Sequence, residues 1–298
     1  MALNGPLAEQ LVEHLAGHLG RPVRIHGDRP VGGGSINDAY RLDTSEGPFF
    51  VKVDPGGSPD MFAAEADGLG RLRATGVVRV PEVIATAEVD GPGGRNASYI
   101  LLEWVEHGLA TESYWAALGR SLAALHRHRA PTFGLERDNY IGRLKQVNTP
   151  HDHWAEFFVA CRLEPQVRMA RDHGRIGDGV VLRAERLFTR VEQLFPPEPP
   201  ALLHGDLWSG NVLCDAHGLP VLIDPAVYHG HREMDIAMTK LFGGFEADFY
   251  SAYNDAWPLE TDWEERTDLC NLYPLLVHVN LFGGGYVQQV EAVLKRFV

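Results

Sequence analysis

The stretch His204-Gly205-Asp206-Leu207-Trp208-Ser209-Gly210-Asn211 places a carboxylate and a side-chain amide five residues apart, and Leu222-Ile223-Asp224-Pro225 adds a second carboxylate thirteen residues later. Phosphoryl transfer to an alcohol needs a group that orients the hydroxyl and accepts its proton, and hard oxygen ligands for Mg²⁺. Two carboxylates and an amide on facing turns would supply both. Val212–Cys214 and Val221–Ile223 are short apolar runs separated by a turn at 216–219, which predicts a hairpin with Asn211 and Asp224 at its open end. Each residue alone has a structural reading, as a turn former or as the end of a strand before proline. Their joint spacing around an apolar hairpin favours chemistry.

A second signal is Lys52, inside Phe49-Phe50-Val51-Lys52-Val53, with Glu65 thirteen residues on. A strand lysine can reach nucleotide phosphates while a helix glutamate holds it in place. The alternative is a solvated lysine and a surface glutamate. The third and weakest signal is Gly32-Gly33-Gly34-Ser35, whose backbone N–H groups can approach phosphates. It is neither a P-loop nor a dinucleotide fingerprint. Its place between strands upstream of Lys52 suits a flap of Gly33, Gly34 and Ser35 over phosphates, against the plainer reading of a surface turn.

Other constellations carry less. His151-Asp152-His153 and His126-Arg127-His128 lack further ligands at helical spacing, so solvated histidines are favoured over a metal site. There is no G-x-S-x-G elbow. Asp235 reads as structural, either bonding the loop that holds Asp206 or capping its own helix.

These groups must be positioned by a chain of 298 residues, 45% hydrophobic, which is enough for two domains. Pro6 opens and Gly20 closes an amphipathic helix with Leu7, Leu11, Leu15 and Leu19 in register. Strand-like runs follow at Val23–His26, Asp38–Leu42 and Phe49–Val53, then a helix from Asp60 to Thr75, then strands near Glu82–Glu88 and Ser98–Val105. Beyond Glu106 the pattern becomes helical, at Ser113–Arg127, His151–His173, Gly179–Phe195 and from Glu233 onward. The expectation is an α+β, bilobal chain: a β-rich N-lobe at 1–105 for nucleotide binding, and a mainly helical C-lobe at 106–298 with the catalytic and metal-binding loops and the acceptor site.

A formal net charge of −13 argues against nucleic-acid partners and requires local positive charge wherever ATP binds. No apolar run spans a bilayer, and residues 1–20 lack a signal-peptide pattern, so a cytoplasmic location is expected. The three cysteines are too few and too scattered for a disulfide framework or a zinc cluster. Oligomeric state is not encoded in these features, and a monomer is compatible with them.

With those residues in place, nearly the whole chain resembles the fructosamine kinase (ketosamine-3-kinase) family, within the aminoglycoside phosphotransferase and choline kinase group of protein-kinase-like folds. The resemblance rests on HGDLWSGN from His204, Asp224-Pro225, and His229 to Phe245 ending in Phe-Gly-Gly-Phe. It also rests on Phe133-Gly134 through Gly142, Gln146-Val147-Asn148, Trp154 to Leu163, and His278 to Tyr286. It implies ATP and Mg²⁺ as cofactors, with Asp206 as catalytic base and Asn211 and Asp224 on Mg²⁺. It further implies Lys52 on phosphates with Glu65 as its partner, and Glu103, Trp104 and Val105 as the hinge that bonds adenine. Some relatives have a redox-sensitive cysteine in the glycine-rich loop; Ser35 and its neighbours offer none.

The implied reaction is phosphorylation of a sugar hydroxyl on ketosamines, the fructosamine or ribulosamine adducts of amines, in deglycation repair. Only ten residues separate Asp224 from Asp235 and no Ala-Pro-Glu follows, which disfavours a peptide platform and favours a compact acceptor. Trp208 is placed to stack on a sugar ring, or to pack beneath the loop. The competing readings are a related phosphotransferase for an amino sugar, aminoglycoside or amino alcohol, a nucleotide-binding pseudokinase, and a metal-dependent phosphohydrolase.

Overall fold

The computed structural model describes residues 3, 5–32, 37–57, 59–90 and 96–298. They form two units, one of 1–111 with 213–224, the other of 112–212 with 225–298.

In the first unit, α1 (Pro6–Leu19) begins at its proline and ends at Gly20, which takes the left-handed conformation with φ 67°. Five antiparallel strands follow: β1 (Ile25–Pro30), β2 (Asp38–Thr44), β3 (Gly47–Pro55), β4 (Val83–Asp90) and β5 (Asn96–Glu103), in the order β1-β2-β3-β5-β4. Helix α2 (Pro59–Ala74) lies between β3 and β4 in sequence. Leu11 and Leu15 of α1 share one apolar cluster with Val51, Val53, Tyr99 and Leu101. Period-two alternation then sends Lys52, between the two valines, to the opposite face, which α2 covers. Lys52 is fixed in register opposite Ala39 on one side and Ile100 on the other.

The hairpin of β9 (Val212–Cys214) and β10 (Pro220–Leu222) clusters, from Leu213 onward, with this first unit, although composition groups it with the helical region. Leu222 N–H donates to the Arg79 carbonyl, and Gly108 N–H to that of Cys214. Arg79 also bonds the Asp215 carboxylate through Nη1 and Glu103 Oε1 through Nη2, the latter at 2.8 Å. Asp215 Oδ1 closes the hairpin turn by accepting from His217 N and Leu219 N at 2.9 Å each. Those donors and Arg79 outweigh the effect of burial and hold its carboxyl below the usual range.

The second unit is mainly helical. It runs through α3 (Tyr114–His126), the small hairpin β6 (Asn139–Ile141) and β7 (Leu144–Gln146), α4 (Trp154–Phe157), a π-helical turn (Phe158–Leu163) and α5 (Glu164–Asp172). Then come α6 (Asp178–Phe188), α7 (Val191–Leu194), β8 (Ala201–Leu203), β11 (Tyr228–Gly230), α8 (Glu233–Leu241), α9 (Ala247–Ala256), α10 (Trp263–Phe282) and α11 (Tyr286–Phe297). One core joins Phe157, Phe158, Leu187, Leu203, Tyr228 and Leu276. The expected single helix at Gly179–Phe195 is split, because Arg190 N–H turns back to the Leu187 carbonyl. No helix among the described residues is long and apolar enough to cross a membrane.

Candidate active site

The loop that carries Asp206 and Asn211 lies between β8 and β9. β8 pairs antiparallel with β11, Tyr228 opposite Leu203, and Ala226 N–H donates to the His204 carbonyl at 2.9 Å. Gly205 has φ +83°, and a Cβ there would collide with the Ala226 carbonyl oxygen, so both the backbone angle and the close approach require glycine. Asp235, buried at the start of α8, accepts from His204 N at 2.7 Å and Gly205 N at 2.9 Å. His126 Nε2 lies 3.2 Å from the same carboxylate, and its Nδ1 lies 2.7 Å from Tyr253 Oη. Burial pushes the Asp235 carboxyl up, but the His126 bond, His204 and the Gly205 N–H outweigh it and hold it below the ordinary range. Of the two roles open to Asp235 from sequence, the structure shows the bond to the loop that holds Asp206.

A single 3₁₀ turn, Ser209–Asn211, brings Asn211 back to Asp206. Asn211 Nδ2 donates to the Asp206 carbonyl at 2.9 Å and to Asp206 Oδ2 at 3.0 Å. With both of its donor contacts on Asp206, this amide keeps Oδ1 for another partner. Half-buried Trp208 meets Phe242 edge-on with centroids 5.9 Å apart, and Gly210 lies against the Trp208 ring. Phe242 stands 5.2 Å from the His278 ring, which is 5.6 Å from Phe282 and 4.8 Å from Tyr286. Burial depresses the His278 pKa against a 2.7 Å bond from Nδ1 to the Pro274 carbonyl, so this ring is held neutral. Individual sequence reading missed His278; the only trace of it was its place in the His278–Tyr286 stretch.

In the first unit Lys52 Nζ lies 2.8 Å from Glu65 Oε1 and 2.5 Å from Asp224 Oδ1. The lysine and glutamate side chains are only 10% and 14% exposed, while Asp224 is 39% exposed. Burial opposes charge on Lys52, but Asp224 and Glu65 overcome it and raise its pKa above the normal lysine range. Burial raises Glu65, with Lys52 pulling it down and Asp224 pushing it up. Asp224 has φ 54°, a left-handed conformation that costs most residues about 1–2 kcal/mol and that aspartate tolerates better than most.

Trp104 and Val105, expected from the resemblance to form a hinge with Glu103, follow it directly. Glu103 N–H donates to the Glu82 carbonyl, while its Oε2 accepts from Glu82 N at 3.1 Å. Val105 is buried, and Arg41 stacks 4.9 Å from the Trp104 ring. The predicted phosphate flap, Gly33, Gly34 and Ser35, lies outside the described residues.

The sequence pattern of the fructosamine kinase family matches residues 7–298. This chain belongs to the fructosamine kinase family. It is 42% identical over 301 residues to a Synechocystis protein named "Probable ketoamine kinase", covering 99% of each chain. It is 38% identical over 284 residues to an Arabidopsis thaliana chloroplastic protein-ribulosamine 3-kinase, covering 94% of this chain and 85% of that one. Among solved structures, a candidate fructosamine-3-kinase from Thermobifida fusca is 36% identical with a TM-score of 0.83, covering 96% of this chain and 97% of that one. An aminoglycoside phosphotransferase, at 16% identity and a TM-score of 0.62, covers 96% of this chain and 98% of that one, and shares the fold alone. As a fructosamine kinase, the chain is an ATP-dependent phosphotransferase with the α+β, protein-kinase-like fold.

Proposed function

We propose that this fructosamine kinase phosphorylates a sugar hydroxyl of small ketosamines, with Asp206 as the group that takes the hydroxyl proton. The observation that carries the reading is a buried lysine bonded to two carboxylates, one of them the Asp224 that follows the catalytic-loop hairpin. Relatives named for ketoamines and ribulosamines support the acceptor class, and deglycation repair is the role that such an acceptor suggests.

In this reading Lys52, held by Glu65, binds nucleotide phosphates. Glu103, Trp104 and Val105 offer backbone groups to adenine, and Gly33, Gly34 and Ser35 cover the phosphates. Asn211, through Oδ1, and Asp224 would hold Mg²⁺. Their chemistry fits: a carboxylate and an amide oxygen are the hard donors Mg²⁺ takes, and Asn211 already commits its nitrogen to Asp206. Bound Mg²⁺ would supply charge neutralisation on the phosphate oxygens. A carboxylate is a far weaker base than an alkoxide, so in this reading Asp206 acts by orienting the hydroxyl and receiving its proton late, as the new P–O bond forms. The Asn211 amide keeps the carboxylate aimed. Trp208, braced by Phe242, offers a face for the sugar ring. A reaction that consumes ATP also favours the cytoplasm, where ATP is supplied.

The test is ADP release with Mg·ATP across fructose-lysine, ribulose-lysine, an aminoglycoside, choline and no acceptor. Turnover that prefers the two ketosamines supports the reading. Preference for the antibiotic or choline, or phosphate release without an acceptor, overturns it. Asp206→Ala should lower kcat by about 10²–10⁴-fold. Calorimetry should still find Mg·ATP binding, and loss of that binding would contradict the role given to Asp206.

A further inference from the structure

Behind the catalytic loop of the second unit lies a buried polar network that the mechanism above does not use. Gln146 Nε2 donates to the Ala226 carbonyl at 3.1 Å and to Asn139 Oδ1 at 2.8 Å. Asn139 Nδ2 donates to the Val227 carbonyl at 2.8 Å. Asn148 Nδ2 donates to Asn139 Oδ1 at 2.8 Å, and Arg162 Nη2 to Asn148 Oδ1 at 2.8 Å. Tyr273 Oη donates to Gln146 Oε1 at 2.8 Å. All five side chains are buried.

Arg162 is the unusual member. It is fully buried, and among the described residues it has no carboxylate partner. Its charge rests on the carbonyls of Val147 and Cys161, the Asn148 amide and three rings, with Cζ 3.9 Å from the Tyr228 centroid, 4.5 Å from Phe157 and 5.3 Å from Tyr273. A buried cation without a counter-ion is costly, and an apolar side chain would fill the same space more favourably. Its position is therefore best explained by what the network around it holds.

The two carbonyls the network holds belong to Ala226 and Val227, immediately after Asp224-Pro225 in the chain. Ala226 N–H in turn bonds the His204 carbonyl, and the Ala226 oxygen sits where a Gly205 Cβ would be. The Tyr273 hydroxyl also senses both the Arg162 and the Asp206 charges.

We propose that Arg162, Asn148, Asn139, Gln146 and Tyr273 are positioning residues that lock the backbone of Ala226–Val227 against His204–Asp206, and so set the aim of the Asp206 carboxylate. The network needs Gln146 as an acceptor for Tyr273 and as a donor to Ala226 at once. Losing the Tyr273 hydroxyl leaves Gln146 Oε1 buried without this donor, so the amide is held through Nε2 alone and its grip on Ala226 loosens.

This rests on the reading of Asp206 as the proton acceptor. The test compares Tyr273→Phe with Tyr250→Phe in the full chain. Tyr250 is the control: its hydroxyl bonds Thr239 Oγ1 at 3.0 Å, outside the network. Steady-state kinetics with a ketosamine, thermal melting and amide hydrogen exchange are measured on each. Tyr273→Phe should lower kcat about tenfold, the equivalent of one buried hydrogen bond, with KM for the acceptor little changed. Exchange at Ala226 and Gly205 should quicken. Tyr250→Phe should leave kcat and those amides alone even if it melts earlier. Equal kcat losses in the two variants, or wild-type kcat and exchange in Tyr273→Phe, would overturn the proposal. If the wild-type chain turns over no ketosamine, the functional reading fails, and exchange at Ala226 and Gly205 alone then decides whether the network holds the loop.

Discussion

Substituting Glu65→Gln isolates what holds Lys52. Nζ is shared by Glu65 at 2.8 Å and Asp224 at 2.5 Å. If Asp224 serves Mg²⁺ during turnover, Glu65 is left as the carboxylate that keeps the lysine aimed. The gross attraction across 2.8 Å is about 6 kcal/mol at an effective dielectric of 20. Most of that is cancelled by the cost of burying both charges. Glutamine keeps an acceptor oxygen and loses the charge, so the net loss is the difference between a charge-assisted and a neutral hydrogen bond, about 1–1.5 kcal/mol. The free protein loses less, because the Glu65–Asp224 repulsion disappears and Asp224 still holds Lys52. The expected result is a five- to fifteenfold drop in kcat/KM for Mg·ATP, roughly the rate equivalent of that energy. The melting temperature should shift by only a few degrees. The assay is initial rates against Mg·ATP at saturating acceptor, beside calorimetric melting. Kinetic constants unchanged alongside a large loss of stability would refute the reasoning, because Glu65 would then be a structural counter-ion only.

Asp235→Asn keeps one oxygen acceptor for two backbone donors and turns an NH₂ toward one of them, so stability should fall by about 3–5 kcal/mol in urea titrations, with activity lost alongside. Gly205→Ala should be inactive under conditions where it remains folded by circular dichroism, because methyl and carbonyl cannot share the space beside Ala226. His231 is buried with its pKa pushed down to about 3, chiefly by burial, and its neutral Nδ1 accepts from Glu233 N at 3.3 Å. Below about pH 6.5 the unfolded chain binds this proton and the folded chain does not, so stability falls with pH, by about 2 kcal/mol from this group between 6.5 and 5. His231→Asn, which keeps an acceptor, should show a decline shallower by that amount; equal slopes would refute the assignment.

Some contacts of the candidate site were legible because their signals are local. Lys52 and Glu65 are thirteen residues apart, one on a strand and one on a helix, so their pairing could be read from one stretch of the chain. The bond from Asp235 to the loop that holds Asp206 was also open from sequence as one of two roles. What sequence reading missed depends on distant partners. β6, β7, β8 and β11 are three residues each, too short to show a period. Gln146 and Tyr273 are 127 residues apart, and nothing in either neighbourhood announces the bond. The hairpin at 212–222 was visible as a hairpin, but its attachment to the first unit runs through Arg79 and Gly108, which carry no pattern of their own.

Because residues 213–224 complete the first unit, that unit is discontinuous. A ribosome must add about a hundred residues after Thr111 before the strand-rich part can acquire its last hairpin and Lys52 its second carboxylate. A truncated 1–111 piece would carry the sheet yet leave Lys52 with one counter-ion and Arg79 without Asp215. Separating the two units for study therefore calls for grafting 213–224 onto the sheet, not for a single cut in the chain.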